Sequence, residues 1–232
     1  MKGKTIVVSG AFGNLGRVVV EEAARRGAAV VALDRAATPP QGLAEQLGPH
    51  CLLLGGVDLT SAEDARKAMA EVKAKLGRID ALVNIAGGFR WETVEAGDLA
   101  TWEFLFAINV KTAFNASKAA LPYLLESGAG RIVNIGAGAA IKAAAGMGAY
   151  AASKAGVLRL TESLAEELKD KGVTVNAIMP SIIDTPGNRA DMPKANFAAW
   201  VAPLDLASVI LFLVSDEAKA ITGALIPVNG GV

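Results

Sequence analysis

The sequence predicts an α/β protein built on a doubly wound parallel sheet, on three observations. Seven short runs rich in β-branched residues alternate with segments of helical length and amphipathic pattern. The runs are apolar along their whole length, which is typical of strands covered by helices on both faces. The chain has 232 residues, 52% of them hydrophobic, which is enough to bury the core of one domain.

The seven runs are expected to be strands because each is short, apolar and bounded by glycine or polar turn residues. In chain order they are KTIVVSG, AAVVALD, CLLLGG, IDALVNIAG, GRIVNIG, GVTVNAIMP and ALIPVNGG. The intervening segments are expected to be the crossover helices that connect parallel strands. Ligands bind at the carboxyl ends of such strands, so the residues directly after each run are the candidates for function.

The charge balance excludes some classes of partner. Lys and Arg together number 23, as do Asp and Glu together, so the net charge is zero and gives no reason to expect nucleic acid or a membrane surface as a partner.

The single cysteine, Cys51, cannot form an internal disulfide, which suits the cytoplasm. The sole histidine, His50, lies in a polar turn, and no cluster has metal-ligand spacing. We therefore expect a small-molecule substrate, no metal and a cytoplasmic location.

The first strand is followed by SGAFGNLG, in which Gly10, Gly13 and Gly16 recur every three residues. Between a strand and a helix, this spacing allows backbone N–H groups and a helix N-terminus to bind a phosphate. We therefore expect Gly10, Gly13, Asn14, Leu15 and Gly16 to bind a dinucleotide. A tight turn between strand and helix, with no ligand, is the alternative.

The second strand ends at Asp34, 18 residues after Gly16. A carboxylate there would accept hydrogen bonds from the adenosine ribose and repel a 2′-phosphate, which favours NAD(H). Arg35 follows directly and would attract that phosphate, so NADP(H) remains the less favoured cofactor. A helix cap or a solvated acid is the alternative role for Asp34.

Polar residues also follow the third and fourth strands. Asp58 and Leu59 are expected to contact the adenine, although a turn before Ser61 explains Asp58 equally well. Asn84, Ala86 and Gly87 in VNIAGG would let the backbone lie against a flat cofactor. A plain glycine turn is the alternative for this segment.

The helix after the fifth strand carries Tyr150 and Lys154 on one face, four residues apart. An ammonium beside a phenol favours the phenolate, so we expect a lowered pKa for Tyr150 and a role in proton transfer. The alternative is an aromatic ring packed on a lysine stem. The position directly after a glycine-rich loop favours the catalytic interpretation.

At this point the chain resembles the short-chain dehydrogenase/reductase family over nearly its full length. The matching motifs are SGAFGNLG, VDLT, NIAG, the asparagine of INV at Asn109, and YAASK. The resemblance implies that Tyr150 protonates the substrate, that Lys154 tunes the phenol and holds the nicotinamide ribose, and that Asn109 maintains a water relay to the lysine. It also implies that the segment from Pro180 through Ile183 to Thr185 contacts the nicotinamide end.

The chain departs from the family pattern at several positions. Ala137 stands where members usually carry a serine, and its neighbours Gly136 and Gly138 supply no hydroxyl either. Ser153 lies beyond the tyrosine, where we expect capping or bonding back to the helix. Asn14 replaces a glycine of the first motif, and its tolerance of left-handed conformations allows the loop to close. Ser181 replaces the usual glycine after Pro180.

The chain resembles one branch of the family, the dihydropteridine reductases, in lacking the serine. The segments GAGAAIKAAAGMGAY and DTPGNRADMPKANFAAW also resemble that branch. A quinonoid pterin is already electrophilic, so hydride transfer to it needs less activation by the protein than the reduction of an ordinary ketone. The segments YAASKAGVLRLTESLAEEL and AKAITGALIPVNGG instead resemble bacterial ketoacyl reductases. The substrate therefore stays open between a carbonyl and a pterin-like C=N group.

The remaining expectations concern domain organisation, the substrate pocket and assembly. We expect residues 1–232 to form one NAD(P)-binding domain with a substrate lid at about 186–203. The expected pocket residues are Ala137, Arg90, Trp91, Met192 and Trp200. A lid packed on its own core is the alternative for the aromatic residues. The resemblance implies a homodimer or homotetramer with an interface on helices near residues 100–126 and 150–170. A dinucleotide sensor that lost the chemistry is the alternative function.

Overall fold

The computed structural model describes residues 1–232 and confirms the doubly wound parallel sheet. Each of the seven predicted runs contains one strand, and all neighbouring strands pair in parallel. The strands are β1 (Thr5–Ser9), β2 (Ala29–Leu33), β3 (Cys51–Leu54), β4 (Ala81–Asn84), β5 (Arg131–Ile135), β6 (Thr174–Pro180) and β7 (Leu225–Val228). Their order across the sheet is β3-β2-β1-β4-β5-β6-β7.

Eight α-helices connect the strands. They are α1 (Asn14–Arg25), α2 (Leu43–Leu47), α3 (Ala62–Leu76), α4 (Leu99–Phe106), α5 (Thr112–Glu126), α6 (Gly148–Leu168), α7 (Pro186–Asp191) and α8 (Pro203–Val214). A π-helical segment, Ala107–Lys111, joins α4 to α5. Short 3₁₀ turns follow β5, α6, α7 and α8.

The apolar strands are buried between two helical layers, as their composition predicts. On one face, Val8, Val30 and Val83 belong to a core that also contains residues of α1 and α8. On the other, Val7 and Leu82 belong to a core shared with α3, α5 and α6. Full burial of a side chain of this size stabilises the fold by about 1.5–3 kcal/mol. The two layers therefore hold the sheet rigid beneath the loops at its carboxyl edge.

The strand order reverses between β1 and β4, because β1 pairs with β2 on one side and with β4 on the other. The loops after β1 and β4 diverge at this point and leave a crevice at the carboxyl edge of the sheet. Two of the helices that begin without a side-chain cap lie next to the segments singled out by the sequence motifs. These are α1, after Gly13, and α6, after Met147. Their first N–H groups are consequently free of side-chain partners from the cap residue.

Candidate active site

The glycine-rich loop after β1 forms one wall of the crevice. Gly10 has a φ of +66°, and a Cβ built on it would lie 2.8 Å from the backbone nitrogen of Ala86. A Cβ on Gly16 would overlap the carbonyl oxygen of Gly10. Both positions therefore need glycine, one for its conformation and both for close backbone packing. The first turn of α1, which starts at Asn14, is thereby presented to the crevice.

The crevice is a cavity of about 680 Å³. Most of the residues predicted to bind the dinucleotide line it, together with one predicted pocket residue. They are Gly10, Gly13, Asn14, Leu15, Gly16, Asp34, Arg35, Asp58, Leu59, Ala86, Gly87 and Arg90. We call Gly10, Gly13 and Gly16 the glycine cradle. The size of the cavity and this cradle fit an extended dinucleotide.

The carboxylate of Asp34 holds the glycine loop. It accepts hydrogen bonds from the backbone N–H of Phe12 at 2.9 Å and of Ala36 at 2.9 Å. Arg35, beside it, is exposed and makes no ion pair within 4.0 Å. The acid is therefore fixed at the edge of the crevice, while the Arg35 guanidinium has no carboxylate partner.

Asp58 stabilises the turn after β3. Its carboxylate accepts hydrogen bonds from the backbone N–H of Thr60 at 2.9 Å and from the Thr60 hydroxyl at 2.8 Å. These bonds, helped by the charges of Arg35 and Lys111, hold the pKa of Asp58 below its usual range. Ser61 then caps α3. The turn role is present in the structure, and the side chain still lines the crevice.

Asn84 does not face the crevice, although the sequence predicts that it contacts the cofactor. Its amide donates to the Oδ1 of Asn134 at 2.8 Å and to the Oγ of Ser117 at 3.1 Å, in the core beneath β4. Ser9, which the sequence analysis missed, shapes this end of β4 instead. Its Oγ accepts from the backbone N–H groups of Ile85 and Ala86, each at 3.2 Å. A serine at the end of β1 was the available signal.

Asn109 connects the loop after β4 to the helix that carries Tyr150. Its side chain is buried and lies on the π-helical segment. The Oδ1 accepts from the N–H of Gly88 at 2.9 Å, while the amide donates to the Gly88 carbonyl at 3.1 Å and to the Ser153 Oγ at 3.0 Å. Such π segments frequently occur at functional sites, and no sequence pattern predicts this one.

Ser153 bonds back to the helix, as expected. Its hydroxyl donates to the carbonyl of Tyr150 at 2.7 Å. It also accepts the hydrogen bond from Asn109, which was not anticipated. Ser153 therefore does not replace the missing serine, because its hydrogen is already directed to the backbone.

Lys154 is buried, with 6% of its surface exposed, and its Nζ donates to the carbonyl of Ile135 at 2.8 Å. An ammonium has three N–H donors, so two are left for other partners. A Cβ on Gly87 would lie 3.6 Å from this Nζ. The lysine Nζ therefore lies beside Gly87, which lines the crevice.

Burial sets the pKa values of the Tyr–Lys pair. It raises the pKa of Tyr150 from 10.0 to about 12 and lowers that of Lys154 from 10.5 to about 8. The expectation that Lys154 lowers the pKa of Tyr150 is therefore wrong for the protein alone. The ammonium is engaged with Ile135, and withdrawal of the phenol from water disfavours the phenolate.

Ala137 follows β5 and is buried, with 6% exposure. It precedes a 3₁₀ turn at Gly138–Ala140, and its backbone is extended. The adjacent Gly136 is fixed by a hydrogen bond from its N–H to the carbonyl of Ile178 at 2.8 Å. Position 137 therefore carries a buried methyl group and no hydroxyl.

The segment after β6 carries the residues expected at the nicotinamide end, and none of them is among those that line the crevice. Pro180 ends β6, Ile183 forms a bridge with Val201, and the Thr185 Oγ1 caps α7 by accepting from the N–H of Asn188 at 3.2 Å. Ser181 donates its hydroxyl hydrogen to the carbonyl of Asn229 at 2.7 Å, which ties this segment to the chain after β7.

The four other predicted pocket residues lie in different environments. Arg90 is exposed, and its guanidinium lies 4.1 Å from the ring centroid of Phe104. Trp91 is 62% exposed and Met192 is 36% exposed. Trp200 is buried and packs on Phe197, with ring centroids 4.8 Å apart, as the alternative of a self-packed lid describes.

Two further features of the molecule concern metal ions and membranes. No three His, Cys, Asp or Glu side chains lie close enough together to hold a metal ion. None of the helices combines the length and apolar character required to span a bilayer.

Comparison with known proteins identifies similar chains. The family model described as short chain dehydrogenase matches residues 4–196. The chain is 32% identical to the 3-oxoacyl-[acyl-carrier-protein] reductase FabG of Thermotoga maritima, over all of this chain and 98% of that protein. It is 33% identical to FabG of Escherichia coli, over 100% and 98% of the two chains. It is 32% identical to 2-(S)-hydroxypropyl-CoM dehydrogenase 3 of Xanthobacter autotrophicus, over 100% and 97%.

A solved structure is similar over the whole chain as well. A short-chain type dehydrogenase/reductase from Mycobacterium ulcerans superposes with a TM-score of 0.93 at 27% identity. The match covers all of this chain and 90% of the other.

Proposed function

The chain belongs to the short-chain dehydrogenase/reductase family and is an oxidoreductase of that type, and from this premise we propose that it reduces an activated carbonyl with NADH. The observation that carries the proposal is the arrangement at one sheet edge. The glycine cradle and the Asp34 carboxylate line one crevice, and the buried Lys154 lies beside Gly87 in the wall of that crevice. Tyr150 is four residues from the lysine on the same helix face.

The residues present fit a nicotinamide dinucleotide. The first turn of α1 would bind the pyrophosphate, Asp34 the adenosine ribose, and the free N–H donors of Lys154 the nicotinamide ribose. The reduced nicotinamide would supply a hydride when bound. Asp34 supports a preference for NAD(H), with NADP(H) less favoured because the 2′-phosphate would meet its charge.

Tyr150 is the proposed proton donor. A pKa of about 12 keeps the phenol protonated at neutral pH, so it has a proton to give to the oxygen of the acceptor as negative charge develops there. Lys154, with a pKa of about 8, is largely charged at pH 7 and stabilises the phenolate that remains. Asn109 holds Gly88 and the Ser153 end of the helix at fixed separation.

The buried Ala137 supports an acceptor that is already polarised. Where a hydroxyl donor acts on a developing oxyanion, its removal costs roughly 2.7–4 kcal/mol. A carbonyl activated by its own neighbour, such as the ketone of a 3-oxoacyl thioester or a vicinal dione, compensates part of this loss. The similarity to 3-oxoacyl-[acyl-carrier-protein] reductases supports the thioester class.

A second candidate substrate is a quinonoid dihydropterin, which the same alanine favours. Its C=N system is electrophilic without a hydroxyl donor. Reduction would again take a hydride from the cofactor and a proton from Tyr150. The crevice and the Tyr–Lys pair serve both candidates equally.

The test is an acceptor panel followed by the loss of reduced-nicotinamide absorbance, with NADH and NADPH in parallel. The panel contains cyclohexanone, 1-phenylpropane-1,2-dione, acetoacetyl-CoA and a quinonoid dihydropterin. We expect the dione or the thioester to have a higher kcat/KM than cyclohexanone. The greatest activity with the pterin would select the second candidate, and cyclohexanone as best substrate would contradict both.

We also propose that the protein is a homo-oligomer. Exposed aromatic residues line the helices from α4 to α5, including Trp102, Phe106 and Phe114. Apolar patches of this kind commonly mark protein interfaces. Light scattering after gel filtration is expected to give the mass of a dimer or tetramer, and a monomer at micromolar concentration would contradict the proposal.

A further inference from the structure

The loop that leads into α6 is attached to the rest of the molecule at one place. Residues 141–147 make two hydrogen bonds beyond their own neighbourhood. The Nε1 of Trp91 donates to the carbonyl of Ala145 at 3.0 Å, and the N–H of Glu92 donates to the carbonyl of Gly146 at 2.8 Å. The loop after β4 therefore holds the loop before Tyr150.

Gly146 is required for this contact. Its φ is +74°, and a Cβ built on it would overlap the indole ring of Trp91. The ring therefore lies directly against the glycine backbone. We call Trp91, Ala145 and Gly146 the indole clamp.

The indole clamp lies close to the catalytic helix in sequence and space. Helix α6 starts at Gly148 without a side-chain cap, so the preceding loop sets where its first turn begins. Tyr150 is in that first turn. A change in the position of residues 145–147 would consequently move the phenol.

Trp91 also leaves much of its ring to solvent. It is 62% exposed, and Phe89 nearby in the chain is 53% exposed. The Phe89 ring packs edge-on against Tyr150, with centroids 4.9 Å apart and planes at 85°. Phe89 therefore lies beside the phenol, and Trp91 lies against the loop that precedes it. Exposed aromatic rings at such a place favour the binding of an apolar group, because binding removes apolar surface from water.

We propose that Trp91 is a positioning residue that fixes the loop before Tyr150 and selects acceptors carrying a flat apolar group next to the reducible carbonyl. The proposal rests on the proposed function. The indole N–H supplies the positioning, and the exposed ring supplies the selectivity. The two contributions are separable because Phe keeps a ring and lacks the N–H donor.

The experiment compares 1-phenylpropane-1,2-dione with butane-2,3-dione in the wild type, Trp91→Ala and Trp91→Phe. Trp91→Ala is expected to raise the KM for the phenyl dione by about fivefold or more and to leave that for butanedione within about twofold. Its kcat should fall for both acceptors because the clamp is lost. Trp91→Phe should keep the ratio of the KM values for the two diones at its wild-type value and should lower kcat.

Two further measurements complete the test. Phe212→Ala removes an exposed aromatic ring from α8 and serves as the control. It should change neither KM nor kcat for either acceptor. Calorimetric binding of the phenyl dione in the presence of NAD⁺, where no reduction occurs, should be at least about fivefold weaker for Trp91→Ala than for the wild type.

An unchanged KM ratio together with equal binding of the phenyl dione would overturn the selectivity. An unchanged kcat in both variants would overturn the positioning role. Failure of the wild type to reduce any acceptor contradicts the proposed function instead, and the binding comparison then still decides the role of Trp91.

Discussion

The buried charge of Lys154 should destabilise the folded protein, and Lys154→Met is expected to remove that cost. The lysine is 6% exposed, and burial lowers its pKa from 10.5 to about 8. At about 1.4 kcal/mol per unit of pKa, this difference corresponds to about 3 kcal/mol. Loss of the hydrogen bond to Ile135 costs about 1 kcal/mol, so we expect a net stabilisation of about 2 kcal/mol at pH 7.

The pH dependence distinguishes this effect from ordinary repacking. Because the unfolded chain binds more protons than the folded one between pH 8 and 10.5, the stability of the wild type rises with pH in that window. The advantage of Lys154→Met is therefore complete below about pH 8 and nearly absent at pH 10.

Urea unfolding of both proteins without cofactor, at pH 7 and pH 10, measures the difference. Equal or lower stability of Lys154→Met at pH 7, or a difference that does not shrink at pH 10, would refute the reasoning. Turnover should be lost in the variant, which would show that the cost of burial is retained for function.

Three other substitutions test the site. Tyr150→Phe should lower kcat by at least about a hundredfold while NADH binding by fluorescence titration stays within a few-fold, and a tenth of the wild-type kcat would exclude the phenol as proton donor. Asp34→Ala should shift the ratio of kcat/KM values toward NADPH, since Arg35 would pair with the 2′-phosphate; better activity of the wild type with NADPH would contradict the role of the acid. Ala137→Ser should raise kcat/KM for cyclohexanone by up to about a hundredfold and give little gain for the dione, and an unchanged ketone rate would show that position 137 does not face the reacting oxygen.

The strands were predictable because their signal is local. Each continuous apolar run reflects burial on both faces, and all seven runs contain strands. The glycine cradle was equally predictable, since Gly10 and Gly16 stand where no Cβ fits. Patterns within short stretches of sequence were therefore enough to predict the strands and the glycine cradle.

The features that the sequence did not reveal depend on direction and environment. Asn84 ends β4 as expected, but its side chain bonds to Asn134 in the core rather than facing the crevice. The pKa of Tyr150 is raised because burial disfavours the phenolate, while the Lys154 ammonium donates to the carbonyl of Ile135. The π segment at Asn109 and the contact of Trp91 with Gly146 arise from packing between distant segments. No local pattern encodes them.

The central claim is hydride transfer from the nicotinamide with the proton supplied by Tyr150, and deuterium transfer tests it most directly. The acceptor with the highest kcat/KM in the panel is reduced with NADH in which both hydrogens on C4 of the nicotinamide are deuterium. The product is then analysed by mass spectrometry. We expect one deuterium on the reduced carbon with the wild type and almost no product with Tyr150→Phe. Product without deuterium, or labelled product formed by Tyr150→Phe at the wild-type rate, would contradict the account.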